Sequence, residues 1–171
     1  MLIIQIVVVS LVLLFGWVVF CGAPYVPSQK KYIARAFTSL YQLDRNDVLL
    51  DIGSGGGVVL RMASKRAAKA IGYEINPALV IISKLLSIHN KKVQIHLADL
   101  WKKNIPDDTT VIYVFAVSRD INKILIKIQN EANRLSRSLK VISYGSGFDN
   151  IKPDKELDAY RLYTVRPLQR Q

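Results

Sequence analysis

The stretch Val48 to Leu60, VLLDIGSGGGVVL, constrains this chain more than any other. An unbroken apolar run closing on Asp51, followed by glycine at 53, 55, 56 and 57, is the pattern of a buried parallel strand that feeds a tight turn and then a helix. Glycines there let the backbone turn left-handed and let a nucleotide-like ligand approach main-chain atoms closely.

The remaining elements fall into place around that turn. Val48 to Ile52 is the first strand. Val58, Val59, Met62 and Ala63 then form the apolar stripe of a helix that ends in the basic cluster Lys65, Arg66 and Lys69. Ala70 to Tyr73 reads as a second strand stopping at Glu74. Asn76 and Pro77 supply an N-cap and a first-turn proline for a helix to about Asn90. Val93 to Leu97 is a third strand ending near Asp99, and Thr110 to Val117 is apolar enough for a central strand covered on both faces. Asp120 can cap a helix carrying Ile121, Ile124, Leu125, Ile128, Ala132 and Leu135 on one side. Leu139 to Tyr144 and Ala159 to Val165 are further strands, the partner and direction of the last being open. Strands alternating with helices predict an α/β, Rossmann-like fold with a mostly parallel sheet and helices on both faces.

In such sheets the ligand lies outside the carboxyl ends of the strands, where Asp51 to Gly57, Glu74 and Asp99 coincide. Glu74, 23 residues after Asp51, is placed to accept ribose hydroxyls, and Asp99 to accept from an adenine amino group. A dinucleotide fingerprint would need glycine where Val58 or Leu60 stands, and a P-loop would need G-K-[ST] after the turn. Neither is present. One cysteine, Cys21, excludes an intramolecular disulfide framework, and His89 and His96 alone offer no clustered zinc spacing, so no metal is expected. The formal charge of +11 favours anionic partners.

Leu2 to Cys21 contains no charged side chain and as a helix would span roughly 30 Å, the thickness of a hydrocarbon core. No basic residue precedes it and no small-x-small site follows, which argues for a retained transmembrane anchor over a cleaved signal peptide. All 24 Lys and Arg lie beyond it, which predicts a single-pass protein with its domain on the cytoplasmic or matrix side, a bacterial inner membrane being preferred to a mitochondrial one. Residues 22 to 28, with Pro24 and Pro27, read as an elbow, and residues 29 to 171 as the domain. Its first helix starts at the N-cap candidate Ser28 and presents Tyr32, Ile33, Ala36, Phe37, Leu40 and Tyr41 on one face.

DIGSGGG, with EINP after the second strand and ADLW after the third, resembles the class I S-adenosylmethionine-dependent methyltransferases. More narrowly, PYVPS, LLDIGSGGG, AIGYEINPALV and ADLWK are similar to the small membrane-associated lysine methyltransferases that act on the adenine nucleotide translocase and on the c-type rotor protein of ATP synthase. The likeness runs from about Pro24 to Val117. It implies S-adenosyl-L-methionine as cofactor, with Asp51, Gly53, Ser54, Gly55, Gly57, Glu74, Asn76, Asp99 and Leu100 as the candidate cofactor-binding set. Asp51 and the glycines would surround the methionine part and ribose, Glu74 would hold the ribose hydroxyls, and Asp99 with Leu100 would read the adenine. The sequence departs from the relatives at VFAV, where they carry a proline, and in the short region after Tyr144.

Tyr113, Phe115 and Tyr144 are candidates to line an acceptor channel or are ordinary core aromatics. The catalytic residues are otherwise unassigned. His96 is expected to be a packed edge histidine, and Trp101 either flanks adenine or caps the core. The leading expectation is a monomeric, membrane-anchored methyltransferase of lysine in a membrane or membrane-proximal protein. A small RNA methyltransferase and a non-catalytic cofactor-binding scaffold are the alternatives. Nothing like N-P-P-Y follows the fourth strand, which disfavours base methylation.

Overall fold

The computed structural model describes residues 1–6, 8–10, 29–116 and 118–168. Residues 2–6 and 8–10 are helical; the rest of the predicted span, with Cys21, the Pro24/Pro27 elbow and Ser28, lies outside the described residues. Among the described residues no helix is long and apolar enough to cross a membrane.

Helix α1 (Lys30–Arg35) runs without a break into a π-helical turn, Ala36–Leu40. Gln29 stands at the N-cap with no side-chain bond. The wider turn, closed by Tyr41 N–H on Ala36 O at 3.0 Å, rotates the apolar face away from ideal helical spacing. Ile33, Ala36, Phe37 and Leu40 are buried, whereas Tyr32 is left exposed and Tyr41 half-buried.

Among the described residues, strands β1 (Val48–Ile52), β2 (Lys69–Glu74), β3 (Val93–Leu97), β4 (Val111–Ala116) and β5 (Leu139–Gly145) are joined by α2 (Val58–Ala63), α3 (Pro77–Leu86), a connection with no helix between β3 and β4, and α4 (Ser118–Leu135), in that order. The described strands form one seven-stranded sheet in the order β3-β2-β1-β4-β5-β7-β6. The first five are parallel to one another. β7 (Tyr160–Val165) is antiparallel to β5, and β6 (Lys155–Leu157), a strand that the sequence pattern did not announce, is antiparallel to β7. Helix boundaries depart from expectation in three places. α2 ends at Ala63, and Lys69 belongs to β2. α3 stops at Leu86, where the chain turns before Asn90. Asp120 sits inside the first turn of α4 rather than capping it, because the helix starts at Ser118.

The two faces bury separate cores. Leu49, Tyr113 and Ile142 pack with α1, the π turn, α2 and Val80 of α3. Leu50, Ile52, Val114 and Val141 pack under Ile121, Ile124, Ile128 and Ala132 of α4. Alternation along each strand divides the two sets, as pleating requires. The β6–β7 hairpin is tied back to the N-terminal helix by Arg35–Asp158 at 2.7 Å and by Lys155 Nζ donating to Ser39 O.

Candidate functional site

β1 delivers the glycine loop to the carboxyl end of the sheet. Gly53, Gly55 and Gly57 adopt φ of +74, +51 and +74°, and Gly57 also starts α2. The N–H groups of Gly53 and Ser54 donate to Tyr73 O at 2.9 and 3.1 Å, which folds the loop over the end of β2. Gly55 N–H then donates to Glu74 Oε2 at 2.8 Å, and Asn76 N–H to Glu74 Oε1 at 2.8 Å. A single buried carboxylate therefore joins the loop to the start of α3. An ionised carboxylate offers about four acceptor positions, so two remain for incoming hydroxyls.

Asp51 is 3 % exposed, and burial, with the nearby Glu74 charge, pushes its carboxyl up to about 8. Its register partner on β4 is Tyr113, so both lie on the α1/α2 face. Asn76 turns its Oδ1 to Ala78 N–H and Leu79 N–H, at 2.9 and 3.4 Å, which makes it the cap of α3. Asp99 is held by Trp101 N–H on Oδ1 at 3.0 Å, while Leu100 packs half-buried on the α4-side core. Trp101 is 52 % exposed and does not cap the core. His96 packs edge-on to Tyr73, and burial together with Lys103 and Lys84 lowers its pKa, in keeping with a packed histidine.

The three aromatic candidates part company. Tyr113 is buried in the core against Phe37, with its hydroxyl 3.5 Å from that of Tyr160. Phe115 and Tyr144 are half-buried at the ends of β4 and β5, with ring centroids 5.3 Å apart. Tyr160 joins them, 4.7 Å from Tyr144 and 6.2 Å from Tyr113, so four rings form a continuous strip. Sequence pattern gave no sign of Tyr160 because the pairing of its strand was open. Arg61, on α2, was also passed over; its Nη1 donates to Gly56 O at 2.8 Å.

A Cβ built on Gly53 would meet nothing within 4 Å, and the Ser54 hydroxyl is buried with no hydrogen-bond partner among the described residues. Open space over Gly53 and spare acceptor capacity on Glu74 fit a nucleoside-bearing cofactor, while Ser54 Oγ is turned under the loop toward Gly72 of β2. A separate cleft of about 430 Å³ between Leu125, Ile126 and Gln129 of α4 and Thr164 to Arg166 contains none of these residues.

No protein-family model matches the chain. It is 30 % identical over 135 residues to the lysine N-methyltransferases of the ATP synthase c-subunit from Xenopus laevis and Homo sapiens. The matched region is 77 % of this chain but only 57 % and 55 % of those relatives, so the chain spans about half their length. The crystal structure of an RNA methyltransferase from Salinibacter ruber in complex with S-adenosyl-L-homocysteine superposes with a TM-score of 0.71, covering 85 % of this chain and 97 % of that one. The chain has the class I S-adenosylmethionine-dependent methyltransferase fold and resembles the ATP synthase lysine methyltransferases. At 22 % identity the Salinibacter structure speaks to the methyltransferase fold alone. Within that fold Asp51, the glycine loop and Glu74 are gathered at the carboxyl ends of β1 and β2, while Asp99 and Leu100 follow β3.

Proposed function

We propose that this chain is an S-adenosyl-L-methionine-dependent methyltransferase of protein lysine, anchored in a membrane and acting on a membrane or membrane-proximal protein. The observation that carries the reading is the Glu74 carboxylate bound to Gly55 N–H at 2.8 Å, in a chain 30 % identical over 135 residues to lysine methyltransferases.

Glu74 would use its remaining acceptor positions for the ribose hydroxyls, with Gly53, Ser54, Gly55 and Gly57 along the methionine part and Asp99 and Leu100 at the adenine. Asn76 supports this set indirectly, by starting α3 beside Glu74. When bound, the cofactor supplies an electrophilic methyl group on a sulfonium. The protein's task is then to align an uncharged amine with that group, and alignment of this kind is worth up to about 7 to 11 kcal/mol without a dedicated acid or base. Phe115 and Tyr144, half-buried at the strand ends and backed by the buried Tyr160, can hold an incoming ammonium over their faces, while desolvation favours its loss of a proton.

The membrane part rests on the uncharged run Leu2 to Cys21, whose described start is helical with Leu2, Ile3 and Ile4 exposed. The basic residues beyond it favour a cytoplasmic-side domain, in a bacterial inner membrane by preference.

Titration calorimetry of the full chain in detergent tests the cofactor site. Glu74→Ala removes the acceptor for Gly55 N–H of the loop, for Asn76 N–H at the start of α3 and for the ribose, and charged hydrogen bonds of this kind are worth about 1.5 to 3 kcal/mol each. Affinity should fall at least about tenfold; equal affinity would end the assignment. Comparing lysine methylation in membrane proteomes with and without the active gene tests the acceptor, and a change confined to RNA would favour the nucleic-acid alternative.

A further inference from the structure

Helix α3 is inverted for a helix packed on a sheet. Its inward side carries Val80 and Ser83, with Ser87 just past its end, all buried, and both serine hydroxyls lack a hydrogen-bond partner among the described residues. Its outward side carries Ile81, Ile82, Leu85 and Leu86, continued by Ile88 in the following turn, each between 46 and 70 % exposed. At 100° per residue Ile81, Leu85 and Ile88 form one row, with Ile82 and Leu86 beside it. Val93 and Ile95 of β3 pack in the core on the α3 side, so alternation places Leu97, 60 % exposed, on that same side.

Charge along this stretch, between Glu74 and Asp99, has one sign. From Ile75 through Ala98 there is no Asp or Glu, whereas Lys84, Lys91 and Lys92 are all exposed. Protein interfaces are depleted in lysine and enriched in aromatic residues, methionine and arginine. An aliphatic face rimmed by lysines is instead the composition of a helix lying in a lipid interface, with its apolar side in the acyl boundary and its ammonium groups at anionic headgroups.

We propose that the outward face of α3, with Leu97, is the surface on which the domain rests against an anionic bilayer. Ten residues long, α3 would lie in the plane of the interface rather than cross it. Because α3 begins three residues after Glu74, this contact brings the mouth of the glycine-loop site beside the lipid. It is a second contact, built into the domain, and does not depend on whether the leader spans the bilayer.

The test uses the full chain with Cys21→Ser and one fluorescent reporter, at Leu85→Cys on α3 or at Asn130→Cys on the exposed side of α4 across the sheet. Reconstitution into phosphatidylcholine vesicles containing phosphatidylglycerol and brominated lipid should quench and blue-shift the Leu85→Cys reporter several-fold more than the Asn130→Cys reporter. Lys84→Glu with Lys91→Glu should remove most of that difference. Two results overturn the proposal: equal access of aqueous iodide to both reporters on these vesicles, or shielding of the Leu85→Cys reporter that rises with protein concentration and persists without lipid, which would assign the face to a second copy. Alkaline carbonate extraction of the same samples reports the leader separately, so failure of one contact is distinguishable from failure of the other.

Discussion

At Gly57 two constraints coincide. Its φ of +74° costs an L-residue about 1 to 2 kcal/mol, and a Cβ there would lie 2.1 Å from Ser83 Oγ. Gly57→Ala should therefore lower the unfolding free energy by more than about 2 kcal/mol in denaturant titrations. Adding Ser83→Ala removes the worst contact and leaves the left-handed strain, so part of the loss should return. A double-mutant loss equal to the sum of the singles would show that the contact is not the cause. Asp51 makes the opposite kind of prediction. Its folded pKa, raised to about 8, means the folded state holds a proton that the unfolded chain has already released. Its contribution to stability therefore falls as pH rises from the ordinary carboxylate range to about 8 and levels off above it. Asp51→Asn does not titrate, so its stability relative to the parent should increase from pH 5 to pH 8. An offset that stays constant across that window would refute burial as the cause. Neither effect was legible in the residues alone, since Ser83 and Glu74 become neighbours of the loop only when the sheet assembles.

Among the elements, α4 is held by one buried acid. Glu131, 3 % exposed, takes Lys127 Nζ at 2.8 Å and Arg134 Nε at 2.6 Å. Burial raises its pKa, but the bonds to Lys127 and Arg134 outweigh that and lower it overall. Arg134 continues to Asp107 at 2.6 Å and to Ile105 O at 2.8 Å, and so clamps the β3–β4 connection to the helix. Arg134→Ala should cost about 2 to 3 kcal/mol, because one partner of a buried charge is removed while Lys127 still covers part of it. Lys123→Ala, exposed on the same helix, should stay within about 0.5 kcal/mol of the parent. The parallel strands β1 and β3 match their apolar runs to the residue, since a run buried on both faces or cleanly alternating leaves little choice of period. The π turn after α1 and the short strand β6 could not be read in the same way. The first keeps an apolar helical face while changing its pitch, and the second is three residues long with no apolar signature of its own.

For the whole molecule, membrane association is the property that separates the proposed function from a domain free in solution. The uncharged Leu2 to Cys21 run predicts that the chain stays in the pellet after alkaline carbonate, and full release would refute a spanning leader. The parallel half of the sheet and the alignment of Asp51, the glycine loop, Glu74 and Asp99 at its carboxyl end followed from local pattern, because strand period, glycine φ and the strand–turn–helix order are short-range properties. Three things waited on tertiary structure. The β6–β7 hairpin adds Tyr160 to Tyr113, Phe115 and Tyr144 through antiparallel pairings that run from Tyr144 with Tyr160 to Leu139 with Val165. Glu74 clamps the loop through a bond that exists only once β1 and β2 lie side by side. α3 buries Ser83 and exposes Ile81, Ile82, Leu85 and Leu86 because which side of a helix meets the sheet is set by the packing of Val80 against β2 and β3, not by its hydrophobic pattern alone.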